Sequence, residues 1–248
     1  MFKHAFVLTA LLLSSLLPAS GAVPPEALGS VRYEVRYKLT GKGSKVADAT
    51  ISLENGTRDG KPVLHSHAAI NASSIFRLFL NAEYIADAYL TQDAKEPIYS
   101  VNPIKKGKKE GKFECIYDKA SNTVRTEFAP PSTNPVKEAF PFDGRTMDLL
   151  SLIQYVRFLD LPAGSSQEMH LLIGGKSIRA ALTNQGADSE RFPGERTERF
   201  FLKMYERGLM ENGSGNEITV WRSNGKERRI LGLETALSTG VMTVSVSD

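Results

Sequence analysis

Apolar and polar residues alternate with a period of two through most of the chain. Val31, Tyr33, Val35, Tyr37 and Leu39 fall on one side, and Arg32, Glu34, Arg36 and Lys38 on the other, as in a strand with one face buried and one in water. Gly41-Lys42-Gly43-Ser44 turns the chain, and Ala47, Ala49, Ile51 and Leu53 line the next strand. After a turn at Asn55–Gly60 the pattern returns at Leu64, Ser66, Ala68 and Ile70, and strands are expected again at Tyr84–Thr91 and Ile98–Ile104. Lys112–Asp118 and Thr123–Phe128 read as a hairpin. Ala129–Phe142 holds four prolines and reads as an irregular connection. In the second half, Met169, Leu171 and Ile173 face Ile178, Ala180 and Leu182 across Gly174-Gly175, a two-residue hairpin turn. Phe200, Leu202 and Met204 mark a further strand. Ile218–Trp221 and Ile230–Leu233 form a hairpin about Asn224-Gly225, and Val241–Val246 ends the pattern.

The period changes twice. Ser73-Ser74 can cap a short helix over Ile75–Asn81. Thr146–Leu159 reads as a longer helix, capped by Asp143 or Thr146, with Asp148 suited to the first turn by charge. Its apolar positions cover most of the circumference, so it is expected to be buried on more than one side. Leu149, Leu152, Ile153 and Val156 are expected in the concave face of the sheet, and Leu161-Pro162-Ala163-Gly164 stops the helix. The fold class read from this is mainly β. It is an antiparallel, strongly curved sheet or half-open barrel of about a dozen strands, with one central and one short helix.

The first residues are of a different kind. Lys3 and His4 precede the apolar run Ala5–Leu17, and small residues stand at Ser20 and Ala22. This is the layout of a cleavable leader, with cleavage expected after Ala22 and a single β-rich domain over 23–248. As a membrane anchor the run is short: it spans about 20 Å as a helix against roughly 30 Å of hydrocarbon. The expected location is the periplasm of a bacterial envelope, with secretion as the alternative. Against 31 Lys and Arg stand 28 Asp and Glu. So small a balance argues against a nucleic-acid partner, which draws a strong basic field. The single cysteine, Cys115, excludes an internal disulfide.

Candidate chemistry is sparse. His65 and His67 share one strand face, half of a metal set with no third ligand at recognisable spacing; an ordinary strand surface is the commoner meaning. Cys115 is in phase with Phe113 and Tyr117, as a buried thiol would be. Lys105, Lys106, Lys108, Lys109 and Lys112 form a basic knot that either meets anionic lipid headgroups or is a solvated hairpin tip. Asp148, Ser151 and Tyr155 make a narrow polar stripe on the helix, which either orients a ligand or satisfies core backbone groups. Nucleophile elbow, zinc-helix, phosphate-loop and dinucleotide motifs are missing, and no metal or cofactor is called for.

Four places together resemble a bacterial envelope family known as domain of unknown function 3108. They are Tyr33-Glu34-Val35-Arg36-Tyr37; Asp148-Leu-Leu-Ser151 with Tyr155-Val-Arg157-Phe-Leu-Asp160-Leu and Gly164; Val220-Trp221-Arg222-Ser223 with Arg229; and Leu233-Glu234 with Gly240. The resemblance implies an exported β-rich protein without established activity, and it carries no catalytic residues. The shape it implies, a bent sheet holding a helix, is similar to the half-barrel of periplasmic lipoprotein carriers, an analogy of fold alone.

The leading expectation is a non-catalytic binding or carrier module for a hydrophobic envelope ligand such as a lipid or lipoprotein, not transmembrane once the leader is removed. An envelope assembly scaffold docking a protein partner, and an enzyme with an unrecognised site, are the alternatives.

Overall fold

The computed structural model describes residues 22–39, 43–72, 83–106, 109–131, 133–205, 216–237 and 240–247. The leader, the short helix expected at Ile75–Asn81 and Lys108 lie outside them. The strands are β1 (Gly29–Lys38), β2 (Ser44–Arg58), β3 (Lys61–Ala72), β4 (Glu83–Leu90), β5 (Pro97–Lys106), β6 (Lys109–Asp118), β7 (Thr123–Ala129), β8 (Val136–Pro141), β9 (Thr146–Asp148), β10 (Ser166–Ile173), β11 (Lys176–Ala187), β12 (Thr197–Met204), β13 (Glu217–Ser223), β14 (Ile230–Leu237) and β15 (Gly240–Val246). Helix α1 (Leu149–Phe158) follows β9.

All 15 strands join one sheet in the order β8-β7-β6-β5-β4-β3-β2-β1-β15-β14-β13-β12-β11-β10-β9. Every neighbouring pair is antiparallel except β9–β10. The edge strands β8 and β9 are consecutive in the chain, so the sheet curls until its ends meet. Leu172 of β10 packs with Phe113, Cys115, Tyr117 and Val124 from β6 and β7 across the seam. The result is a nearly closed barrel, richer in strands than the dozen expected.

Three differences from the sequence reading have physical causes. The proline-rich stretch contains β8, because an edge strand tolerates residues without an N–H on its unpaired side. Thr146–Asp148 is strand, not the first turn of the helix, and Asp148 itself is the N-cap. The β13–β14 connection is a wider loop closed by Ser223 N–H to Arg229 O at 2.8 Å, not a tight turn at Asn224-Gly225.

Paired residues of adjacent strands share a face. Tyr33 and Val35 of β1 face inward, and through the ladder so do Ala49, Ile70 and Tyr84 on one side and Val244, Leu233 and Val220 on the other. The outer wall carries ion pairs such as Lys45–Asp48 at 2.6 Å and Lys112–Glu114 at 2.7 Å. That polarity is the reverse of a membrane-spanning barrel, whose outer band is apolar. Among the described residues no helix is long and apolar enough to cross a membrane.

Candidate functional site

A closed barrel of about eight strands is filled by its own side chains, and wider ones leave a lumen. Here α1 enters that lumen. Its ten residues span about 15 Å, whereas the twelve of β3 run about 40 Å. The helix therefore lies along part of the bore, and side chains of the wall occupy the rest of the core. α1 starts near the rim where β10 ends and runs to the opposite end. Leu152, Tyr155 and Val156 pack on β10–β14, as do Leu149 and Ile153 in part, whereas Leu150 and Phe158 pack on the alanine-lined wall of β3 and β4, so it is these last two that carry the helix's contact to the first half.

The buried Asp148 fixes the start of the helix. Its Oδ1 accepts from the N–H groups of Leu150 (2.9 Å) and Ser151 (3.1 Å), and its Oδ2 from the hydroxyls of Ser151 (2.5 Å) and Tyr117 (3.1 Å). Tyr117 accepts in turn from the Asp148 N–H at 2.9 Å. Burial, with the Asp148 charge second, raises the Tyr117 hydroxyl well above its ordinary pKa and pushes the Cys115 thiol up as well. A thiol held protonated is a poor nucleophile. Tyr155 leaves the stripe and accepts from Gln167 Nε2 at 2.6 Å. The three stripe residues thus spend their polar atoms on the fold.

The far end is sealed by two arginines. Arg157 donates from Nε to Arg228 O (3.1 Å), from Nη1 to Gln154 Oε1 (2.9 Å), and from Nη2 to Ala27 O (2.6 Å) and Glu227 O (3.2 Å). Burial pulls its pKa down to about 10, so it remains charged at neutral pH. Arg222 donates to the carbonyls of Val156 (2.8 Å) and Leu159 (2.7 Å) at the helix C-terminus, where a cation is favoured, and pairs with Glu198. These contacts tie the 3-10 turn Pro25–Ala27, α1 and the β13–β14 loop together. Arg157 and Arg222 were visible only as members of a resembling pattern. Their partners lie up to 130 residues away, and no local signal marks them.

Among the described residues the other end is the more open one. Leu149 and Ile153, one turn apart on α1, are only partly buried. So are Ile218, Leu233, Met242, Val244 and Ile70 on the facing inner wall. Tyr84 also faces inward from β4, yet is 39% exposed. Its hydroxyl accepts from Asn102 Nδ2 at 3.1 Å, and desolvation raises its pKa to about 12. Asn102 Oδ1 is buried without a donor among the described residues. Together these residues make an inward-facing, mainly apolar patch with one polar pair, the mix of side chains that small-molecule sites use.

On the outer wall, both histidines converge on a residue that sequence spacing did not single out. Asp87 Oδ1 lies 2.8 Å from His65 Nε2 and 2.8 Å from His67 Nδ1, while His65 Nδ1 meets Glu54 at 3.2 Å. Tyr89 stacks on His65 at 4.6 Å. Among the described residues no three His, Cys, Asp or Glu side chains are arranged to hold a metal. Lys105, Lys106 and Lys109 lie at the paired ends of β5 and β6, and Lys112 is engaged by Glu114.

No curated protein matches the chain. Among solved structures it is similar to a β-barrel-like protein of domain of unknown function DUF1849 from Brucella abortus, at 7% identity with a TM-score of 0.51 over 88% of this chain and 95% of that one. It also matches a DUF1089 family protein from Pseudomonas aeruginosa at 11% identity with a TM-score of 0.33, over 87% and 92%. The first likeness bears on the fold alone, and it agrees with the curled sheet built above. The family model "Protein of unknown function (DUF3108)" matches residues 32–245, from the first inward-facing strand to the last, and the chain belongs to that family.

Proposed function

We propose that the protein is a non-catalytic binding or carrier module of the bacterial envelope that takes an acyl-chain ligand into the open end of its barrel. The supporting observation is the partly buried apolar wall formed by Leu149, Ile153, Ile218, Leu233 and Met242, with Tyr84 and Asn102 as its polar pair. The apolar wall suits a hydrocarbon chain, and the pair suits the hydroxyl or carboxyl at its head. The leader read at residues 1–22 supports placing this activity in the periplasm.

The test uses a fluorescent fatty acid in vesicle-free solution, with native mass spectrometry after exposure to envelope lipid extract. The protein is expected to enhance the probe's emission and to retain one lipid. Ile153→Trp, which fills the recess with apolar bulk, is expected to abolish both while preserving the melting transition. Protein recovered empty, or equal uptake by Ile153→Trp, would overturn the proposal.

A second reading rests on β8. It is an edge strand with a mostly exposed burial pattern and one paired side, so a partner's strand can extend the sheet there. On that reading the protein is an envelope scaffold, and cross-linking in intact cells from Glu138 gives one discrete partner.

A further inference from the structure

We infer that the free edge of β8 takes an extended segment of a protein partner whose outward-facing side chains are acidic. The inference rests on the second reading above, in which a partner's strand extends the sheet at β8, and it names the chemistry of that strand. The seam of the barrel closes between β10 and the inner face of β6 and β7, where Leu172 packs with Phe113, Cys115 and Val124. β8 lies past that contact. Phe140 alone of its residues joins the cluster, and only in part. Val136, Lys137, Glu138 and Ala139 are exposed, so the strand shows both faces to solvent. The opposite edge of the sheet offers no such site, because β9 is three residues long and buried throughout.

The composition of the edge decides which strand it admits. Lys137 and the inward-pointing Glu138 keep a purely apolar strand from adding, and Pro141 ends the row. Charges placed this way select a partner by complementarity. The β7–β8 register sets Lys137 beside Glu127 and Ala139 beside Arg125 on the outer face, and Glu138 beside Thr126 on the inner face. On the outer face a cleft of about 430 Å³ is lined by Glu114, Ile116, Arg125, Glu127, Lys137 and Ala139. Its carboxylates are already engaged. Glu114 accepts from Tyr99 (2.6 Å) and Lys112 (2.7 Å), and Glu127 lies between Lys112 (3.9 Å) and Lys137 (3.5 Å). The exposed Arg125 has no carboxylate within salt-bridge distance among the described residues. Asp118, whose charge reaches it from farther off, is held by the N–H groups of Ala120 (3.0 Å) and Ser121 (3.3 Å).

Alanine at 139 leaves this guanidinium accessible from the edge. A strand added beside β8 lies two strand spacings, about 10 Å, from β7. An acidic side chain opposite Ala139 bridges that distance to Arg125, and a second acid opposite Lys137 is matched directly. On the inner face, Val136 and Phe140 call for apolar neighbours and Glu138 for a hydroxyl or another donor. The partner segment therefore alternates acidic residues with apolar or hydroxyl ones. A second copy of this chain does not fit. The two-fold pairing of residues 136–140 sets Glu138 against Glu138, and that of 137–141 includes Pro141, which has no N–H.

Three labelled synthetic peptides, added to the full chain, test the inference. Each has Val and Thr at alternate positions, and the positions between carry Glu, Ser or Lys. Fluorescence anisotropy reads binding. Amide exchange over residues 136–140 reads strand addition, because N–H groups on the free side of β8 become paired. The Glu peptide is expected to bind and to slow that exchange, the Ser peptide to bind about tenfold more weakly, and the Lys peptide not to bind. Arg125→Gln should bring the Glu peptide down to the affinity of the Ser peptide without moving the melting transition. Ala139→Trp, which puts bulk between Arg125 and the edge, should do the same. Arg179→Gln, an exposed change on β11, should alter nothing. Equal protection of β8 by the Glu and Lys peptides would overturn the inference and leave the edge reading standing. Exchange at β8 unmoved by all three would overturn both. A dimer of the chain alone, with residues 136–140 already protected, would assign the edge to a second copy and overturn the inference as well.

Discussion

The two ends of the barrel are made from the same strands and differ in how their polar and apolar groups are matched. At the sealed end, the carbonyls of Ala27, Glu227, Arg228, Val156 and Leu159 meet two guanidinium groups, and the helix C-terminus closes the bore. At the open end, apolar side chains on the helix and wall face one another without complete burial. Polar matching therefore supplies closure at one end, and at the other the described apolar side chains are left only partly buried, the surface on which the proposed ligand would lie.

Arg157→Met should produce the largest effect, because it leaves four acceptors at the sealed end without their donor. We expect a loss of roughly 3–5 kcal/mol in urea unfolding, with amide exchange rising first in the β13–β14 loop. A variant as stable as wild type would show that the seal is held by packing alone.

Asp148→Ala comes next. Were Asp148 only a helix cap, truncation would cost about 1 kcal/mol. Because it also accepts from the buried Tyr117 and Ser151 hydroxyls, we expect roughly 2–3 kcal/mol. Asp148→Asn, which keeps a capping acceptor, should recover part of this. Equal losses from Asp148→Ala and from the double change with Tyr117→Phe would show that the two residues act as one unit. Simple additivity would show that their hydrogen bond contributes nothing of its own.

How far these features could be read from the chain depends on the distance over which each is encoded. Alternation is local, and it located the strands. Gly174-Gly175, both at positive φ, set the β10–β11 register in which Leu171 pairs with Ile178 and Met169 with Ala180. The apolar circumference of α1 placed it inside the sheet. The prolines around β8 concealed a strand because a breaker's meaning depends on whether its position is an edge, which only the assembled sheet decides. The meeting of His65 and His67 with Asp87 depends on the β3–β4 register, set across a connection with no turn signature. The candidate site was legible only in part: Ile153 and Leu149 read as core and do pack against it, but nothing in sequence shows that their burial stays incomplete.

The smallest effect concerns two tyrosines, one at each end. Tyr33 is buried near the seal and donates to Ile230 O at 3.1 Å, while Tyr84 sits in the open recess. Burial is the main cause that raises each phenol from 10.0 to about 12. The folded state thus favours the protonated form of both. The stabilisation this gives is fully present below pH 10 and is lost as pH rises from 10 through 12. At neutral pH, Tyr33→Phe should cost about 1 kcal/mol for its hydrogen bond, and Tyr84→Phe less. In alkali, Tyr33→Phe should flatten the fall in stability more than Tyr84→Phe, because water reaching Tyr84 offsets its desolvation. Tyrosinate absorbance should accordingly show Tyr84 ionising before Tyr33. A bound acyl chain should delay Tyr84 by drying the recess and leave Tyr33 unmoved. If the two phenols ionise together and neither responds to ligand, the ends are equally dry and the contrast between them fails.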